Sequence, residues 1–153
     1  VSWDFSQADH REAVRARLQR ERPYLLIGSP PCTDWCRLNA CANHRRMDPE
    51  KVKERVELAR THLRFVVGLY RDQFSRGCHF LHEHPAPAQS WEQEAMVDLL
   101  RDSRVHSVVG HMCRQGMKMP DRDGMLRPAR KPTRWASSAE ASSRPALSPR
   151  AWV

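Results

Sequence analysis

The sequence has no apolar run near the roughly 20 residues that a transmembrane helix requires, so no membrane partner is expected. It also lacks a signal-peptide pattern and opens on Val1, which we interpret as a chain that begins partway through a longer protein. Aromatic residues amount to only 7%, and no internal repeat is visible. At 153 residues the chain is long enough for one domain with a buried core, and we expect an intracellular protein, cytoplasmic or nuclear.

Paired Cys-x2-Cys knuckles are missing as well, although the sequence contains five cysteines. An odd number without a signal peptide argues against a disulfide framework and for a reducing compartment. The spacing of Cys32, Cys36 and Cys41, followed by His44, leaves a zinc module of unrelated descent as an alternative. Packing is favoured over metal binding for the histidines that cluster at 79–84, so no metal site is predicted.

Lysine is scarce, yet the chain is strongly basic. The formal net charge is +8, and 22 of the 26 basic residues are arginine. The planar guanidinium group suits phosphates and base edges better than an ammonium group does, which makes nucleic acid the leading partner class. A GC-rich coding sequence would enrich arginine equally, so charge by itself does not decide the function.

The order of the apolar patterns predicts an α/β fold. The best-supported element is a long amphipathic helix that begins at Asp48-Pro49, repeats apolar residues at spacings of three and four through Phe74, and ends at Gly77. Strands alternating with helices imply right-handed crossovers and a partial doubly wound, Rossmann-like parallel sheet with flanking helices. The other predicted elements are a helix over 6–20, a strand over 24–27, a strand over 78–82, a helix from Ser90 and a strand over 105–109.

The C-terminal part of the sequence loses this periodicity. Residues 111–135 are rich in Met, Arg, Pro and Gly without a clean period, and we expect irregular structure there. From Ala136 the composition shifts to Ser, Ala, Pro and Arg, which is typical of disorder. The sequence therefore predicts one folded unit over 1–135 and a disordered tail over 136–153.

Two reactive side chains follow neighbouring predicted strands. Cys32 comes after two prolines, which restrict the backbone at the end of the first strand, and Glu83 follows the second strand. The carboxyl ends of parallel strands share the edge where open α/β folds bind ligands, so the two residues are expected to converge although 51 positions apart. A rigidly held thiolate beside a carboxylic acid suits attack on an electron-poor ring that is protonated during addition. The alternative for Cys32 is a small buried apolar residue.

These segments resemble motifs of the DNA cytosine-5 methyltransferases. The segment Pro30-Pro31-Cys32 is similar to the start of their Pro-Pro-Cys-x-x-Phe-Ser catalytic motif, and Glu83-His84-Pro85 is similar to Glu-Asn-Val or Glu-Asn-Pro. The similar stretches cover about residues 23–135, and three motifs in this order are more specific than Pro-Pro-Cys alone. A branch found in phages and retroelement-associated polyproteins has a Cys-x-Tyr-Gly…Lys-Pro-Thr segment, which is similar to Cys113-Arg114-Gln115-Gly116 and Arg130-Lys131-Pro132-Thr133-Arg134-Trp135.

The resemblance implies a mechanism, a cofactor and a partner. Cys32 would attack carbon 6 of a cytosine flipped out of DNA, while Glu83 holds ring nitrogen 3 and stabilises the adduct. Carbon 5 would then receive a methyl group from S-adenosylmethionine, and β-elimination would release Cys32. The resemblance implies cofactor contacts at Asp4, Ser29 and Pro30. The basic residues expected to contact phosphates are Arg37, Arg127, Arg130, Lys131 and Arg134.

The sequence also departs from this family. No glycine precedes Gly28, so the glycine-rich loop that holds the methionine part of the cofactor is absent. Trp35, Cys36 and His84 stand where the family has Phe, Ser and Asn. Residues 1–135 therefore resemble a catalytic half-domain without that loop, and activity of this chain alone stays open. The alternatives are a non-catalytic basic module derived from this fold that binds nucleic acid, and a fragment of a mobile-element polyprotein.

Overall fold

The computed structural model describes residues 3–36 and 42–139. Within these ranges helices and strands alternate as the sequence predicts, and further strands follow near the C-terminal end. The helices are α1 (Ala8–Glu21), α2 (Pro49–Ser75) and α3 (Glu94–Leu100). The strands are β1 (Leu25–Gly28), β2 (His79–Pro85), β3 (His106–His111), β4 (Lys118–Pro120), β5 (Leu126–Pro128) and β6 (Pro132–Ser137).

Four of these strands form one mixed sheet in the order β1-β2-β6-β3. Strands β1 and β2 are parallel, whereas β6 runs antiparallel to both β2 and β3. The α/β class with flanking helices is confirmed, but the wholly parallel sheet is wrong. The reason lies in residues 111–135, which were expected to be irregular: they form the β4–β5 hairpin and then return through the sheet as β6.

Helix α2 covers one face of the sheet. Tyr70 stacks on Phe80 with 4.7 Å between ring centroids and meets the ring of His82 edge-on. Ile27 on β1 and Val108 on β3 extend from the opposite face, and they are 54% and 64% exposed. In the described part of the chain, the core therefore lies between α2 and one side of the sheet.

The long helix begins as the sequence predicts. The Asp48 carboxylate accepts a hydrogen bond from the backbone N–H of Glu50 at 3.0 Å, and Pro49 occupies the first turn, where its missing N–H costs nothing. The C-terminal half of α2 supplies much of the core, because its apolar stripe packs on β2. The buried residues of α2 are Leu63, Phe65, Val66, Val67, Leu69, Tyr70 and Gln73.

The predicted boundary between fold and tail falls too early. Strand β6 continues through Ser137, and the side chain of Ala136 is fully buried. Ser137 donates its hydroxyl to the carbonyl oxygen of Phe80 at 2.7 Å, and the Phe80 N–H donates to the Ser138 hydroxyl at 3.2 Å. Small polar residues therefore continue the sheet despite a composition typical of disorder. Residues 140–153 of the predicted tail lie outside the described residues.

Candidate active site

Strand β1 ends where it comes very close to α2. A Cβ atom on Gly28 would lie 2.0 Å from the hydroxyl oxygen of Tyr70, so glycine is what permits this approach. Tyr70 is 1% exposed, and burial raises the pKa of its hydroxyl above the usual value. The protonated hydroxyl hydrogen-bonds Nδ1 of His82 at 3.0 Å. This hydrogen bond holds the Tyr70 ring against Gly28 and His82, which are paired residues of β1 and β2.

The loop after β1 presents Cys32. Two prolines restrict the backbone before it, and the N–H of Trp35 donates to the Cys32 carbonyl oxygen at 3.1 Å, which closes a tight turn. Trp35 is 4% exposed and anchors this turn in the core. Cys32 itself is half-buried and forms no disulfide. The thiol therefore lies just outside the core, at the carboxyl end of β1.

Glu83 lies beside this loop because of the strand register. Gly28 pairs with His82 in the parallel ladder, so the next residues along each strand, Ser29 and Glu83, are neighbours. The Ser29 hydroxyl donates to Oε2 of Glu83 at 2.6 Å, and Nζ of Lys131 lies 3.9 Å from Oε1. The loop that carries Cys32 and the carboxyl group of Glu83 thus occupy the same edge of the sheet.

His84 connects β2 to the same loop. Its Nε2 lies 3.1 Å from the carbonyl oxygen of Pro30, and its Nδ1 lies 2.5 Å from the hydroxyl oxygen of Ser90. A carbonyl oxygen only accepts, so Nε2 carries the proton and Nδ1 accepts from Ser90 in the neutral ring. Burial lowers the pKa of His84, in agreement with that form. Sequence reasoning missed this role of Ser90, at which a helix was expected to begin. The Ser90 side chain bonds His84, and α3 begins after Gln93, whose side chain makes no capping hydrogen bond.

His82 is the most deeply buried of the three clustered histidines. Its side chain is 0% exposed, and burial, followed by the proximity of His84, lowers its pKa to about 3. Its Nε2 has no hydrogen-bond partner among the described residues, and its ring packs edge-on against Trp91. His79 extends from the other face of the sheet toward Tyr24. Over residues 3–36 and 42–139, no three His, Cys, Asp or Glu side chains form a group that could hold a metal ion.

A cavity of about 830 Å³ opens beside the loop. It lies between the N-terminal segment, β1 and α2, and its lining includes Asp4, Ser29 and Pro30, the three residues predicted to contact a cofactor. The aromatic rings of Trp3 and Phe5 also line it. Ser29 therefore borders the cavity while its hydroxyl contacts Glu83.

Asp4 supplies a carboxylate at the rim of this cavity. It accepts hydrogen bonds from the hydroxyl and the N–H of Ser6 and from the amide of Gln7, and these bonds hold its pKa below the usual value. Half-buried His62 lies nearby, and burial lowers its pKa, so its ring is neutral at pH 7. The lining thus combines aromatic rings with an ionised carboxylate.

The residues predicted to contact phosphates do not form one cluster. Arg127 pairs with Asp121 at 3.0 Å, and Arg134 places its guanidinium 4.6 Å from the ring centre of Trp91. Lys131 lies beside Glu83, as described above, and Arg130 is exposed. Arg37 lies outside the described residues. Of the four that the structure describes, Lys131 is therefore the one that forms an ion pair with Glu83.

Comparisons with protein-family models, with curated proteins and with solved structures gave no match for this chain. The resemblance to cytosine-5 methyltransferases therefore depends on the motifs alone. None of the described helices is long and apolar enough to cross a membrane.

Proposed function

We propose that this chain carries the catalytic half of a cytosine-5 methyltransferase-like domain that acts on DNA, with Cys32 as the nucleophile and Glu83 as the acid. The observation that supports this most strongly is the hydrogen bond of 2.6 Å between Ser29 and Glu83, which ties the Pro-Pro-Cys loop to the carboxyl group. Strands β1, β2 and β3 run in one direction, and we infer that they belong to a Rossmann-like sheet.

In the proposed reaction, the thiolate of Cys32 forms a bond from Sγ to carbon 6 of cytosine, and the electrons of the 5,6 double bond shift toward carbon 5 and nitrogen 3. The carboxylic acid of Glu83 donates its proton toward nitrogen 3 and so stabilises the developing charge. Once carbon 5 carries the methyl group, it loses its proton to water, the electrons of that bond re-form the 5,6 double bond, and the bond from Sγ to carbon 6 breaks to release the thiolate. Nitrogen 3 then returns its proton to Glu83. The cytosine must leave the base stack to reach this edge.

The cavity beside the loop suits the adenosine part of S-adenosylmethionine. Its volume of about 830 Å³ falls within the range of small-molecule sites. Trp3 and Phe5 would hold the adenine ring, and Asp4 would accept hydrogen bonds from the ribose hydroxyls. Ser29 and Pro30 also line the cavity, and the Ser29 hydroxyl contacts Glu83. When bound, the cofactor would supply the methyl group from its positively charged sulfur, which would leave as a neutral thioether.

The test is covalent trapping on a duplex that contains 5-fluorocytosine, in the presence of S-adenosylmethionine. Fluorine at carbon 5 cannot leave as a proton, so the adduct persists and adds the mass of the DNA to the protein. We expect Cys32→Ala to abolish the adduct and Glu83→Gln to slow it by about 10²- to 10⁴-fold. Cys36→Ala is the matched control, because Cys36 is also a half-buried free thiol. An adduct that survives Cys32→Ala, or none with the unmodified chain, would contradict the proposal.

One observation favours a second function, that of a non-catalytic module that binds nucleic acid. Both carboxylate oxygens of Glu83 already have partners, Ser29 on one and Lys131 on the other. A structural role for this carboxylate accounts for both contacts without any reaction. Retained DNA binding with a steep salt dependence, together with no trapping, would favour this function.

A further inference from the structure

The β4–β5 hairpin leaves the sheet at the edge where Glu83 lies. His111 at the end of β3 pairs with Pro132 at the start of β6, and the N–H of Ala86 donates to the Pro132 carbonyl oxygen at 3.0 Å. The N–H of Met112 donates to the Lys131 carbonyl oxygen at 3.0 Å, which closes the base of the hairpin. Since Lys131 also contacts Glu83, the hairpin begins directly beside the candidate active site.

The hairpin has a well-ordered turn of its own. Oδ1 of Asp121 accepts the N–H groups of Asp123 and Met125 at 3.0 and 2.9 Å, and Gly124 takes a positive φ of 78°. Arg127 donates to Oδ2 of Asp121 at 3.0 Å, and this contact, with the two backbone bonds, holds the pKa of Asp121 below its usual value. The turn therefore keeps the two strands paired although neither strand packs on the core.

The hairpin exposes apolar side chains together with an excess of cations. Every residue of β4 and β5 is exposed, and Met125 and Leu126 at the turn are 61% and 65% exposed. Residues 111–131 contain six Lys or Arg against two Asp. Four of these cations form no ion pair within the described part of the chain: Arg114, Lys118, Arg122 and Arg130. An exposed apolar tip flanked by cations is complementary to a polyanion with apolar groove walls.

We propose that the β4–β5 hairpin is the element with which this protein binds duplex DNA, next to the cytosine that enters the Cys32 site. A two-stranded ribbon fits the major groove of B-DNA, which is about 12 Å wide. In that position Lys118, Arg122 and Arg130 contact phosphates on the groove walls, while Met125 and Leu126 contact thymine methyl groups and sugars. The position of the target base depends on the proposed function, whereas binding of the duplex by the hairpin does not.

The experiment measures binding of a fluorescein-labelled duplex of 20 base pairs by anisotropy, over a series of salt concentrations. The hairpin variant carries Lys118→Gln, Arg122→Gln and Arg130→Gln. The control removes the same charge from exposed helix positions, through Arg17→Gln, Arg64→Gln and Arg101→Gln. We expect the hairpin variant to lose affinity by about tenfold or more at 0.1 M salt and to lower the salt slope by about 3, whereas the control stays near the unmodified protein.

A second variant separates groove contacts from charge. Met125→Ser with Leu126→Ser should weaken binding several-fold without changing the salt slope, because no phosphate contact is lost. Equal loss in the hairpin and control triple variants would overturn the inference, and so would the absence of duplex binding by the unmodified chain. Binding that depends on the hairpin without trapping of 5-fluorocytosine would contradict the proposed function and leave the hairpin as the DNA-binding element.

Discussion

Nε2 of His84 lies 3.1 Å from the carbonyl oxygen of Pro30, and this hydrogen bond connects the centre of the sheet to the loop that presents Cys32. The same ring accepts from Ser90 on its other nitrogen, so both of its polar atoms are satisfied in a side chain that is 1% exposed. His84 on β2 therefore contacts the Pro-Pro-Cys loop directly. We expect His84 to act on Cys32 only through the backbone, as a positioning residue for the thiol.

Replacing His84 should release this loop. His84→Ala leaves the Pro30 carbonyl and the Ser90 hydroxyl without their partner, and we expect the free energy of unfolding to fall by about 2 kcal/mol. Alkylation of Cys32 by iodoacetamide should become several-fold faster under native conditions, measured by mass spectrometry of its peptide. His106→Ala, at an exposed position of β3, is the control. An unchanged alkylation rate in His84→Ala would refute the positioning role.

Two glycines should respond in opposite ways to the same substitution. Gly28→Ala puts a Cβ atom 2.0 Å from the Tyr70 hydroxyl, so Tyr70 must move and its bond to His82 breaks. We expect a loss of about 2 to 3 kcal/mol in the free energy of unfolding, measured by urea denaturation. Gly68→Ala in α2 meets no atom within 4 Å and should instead stabilise the protein by about 0.5 to 1 kcal/mol. Similar effects of the two changes would contradict the close packing of β1 on α2.

Lowering the pH should destabilise the protein already at pH values well above the usual pKa of its carboxyl groups. The pKa of His82 is about 3 in the fold and near 6.5 in the unfolded chain, so between these values the unfolded state binds more protons. The stability is fully present above pH 6.5 and falls toward pH 3, by up to about 1.4 kcal/mol per pH unit for this residue. His84 and His62, whose pKa values are also lowered, act in the same direction.

Urea midpoints measured between pH 7 and pH 5 check this prediction. Carboxyl groups with lowered pKa values titrate below this window, so the histidines dominate the change. His82→Gln should flatten the dependence, while His106→Gln should leave it unchanged, because His106 is exposed on β3. A pH dependence that is the same in His82→Gln and in the unmodified protein would show that His82 is not buried in its neutral form.

The sequence predicted the parts of the fold that local patterns determine. The apolar stripe and the Asp48-Pro49 start identify α2, and apolar runs identify β1 and β2. The mixed sheet was not predictable in the same way, because the pairing of β6 with β2 depends on residues far apart in sequence. Its sequence, Pro-Thr-Arg-Trp-Ala-Ser over 132–137, carries no alternating apolar signal.

The candidate site likewise contains residues that local patterns predict and residues that only tertiary contacts reveal. Cys32 follows β1 as the sequence predicts, whereas Glu83, expected just after the second strand, lies within β2 and pairs with Trp135 of β6. The side chains that support them were not found from the sequence, since Tyr70 is one of several core positions along α2 and Ser90 marks only the predicted start of a helix. Their roles arise from tertiary contacts between elements. The one general guide to such contacts is that a buried polar atom requires a hydrogen-bond partner.

The end of β6 provides a test of where the fold stops. Ser138 accepts a hydrogen bond from the N–H of Phe80 at 3.2 Å, and its side chain is buried. Ser138→Ala leaves this N–H without a partner, so we expect the free energy of unfolding to fall by about 1 to 2 kcal/mol in urea denaturation. Ser107→Ala is the control, because Ser107 is exposed and its hydroxyl accepts a hydrogen bond from the Arg134 guanidinium rather than from a buried backbone group. If both changes had equally small effects, the fold would end before Ser138, close to the boundary at 136 that composition predicts.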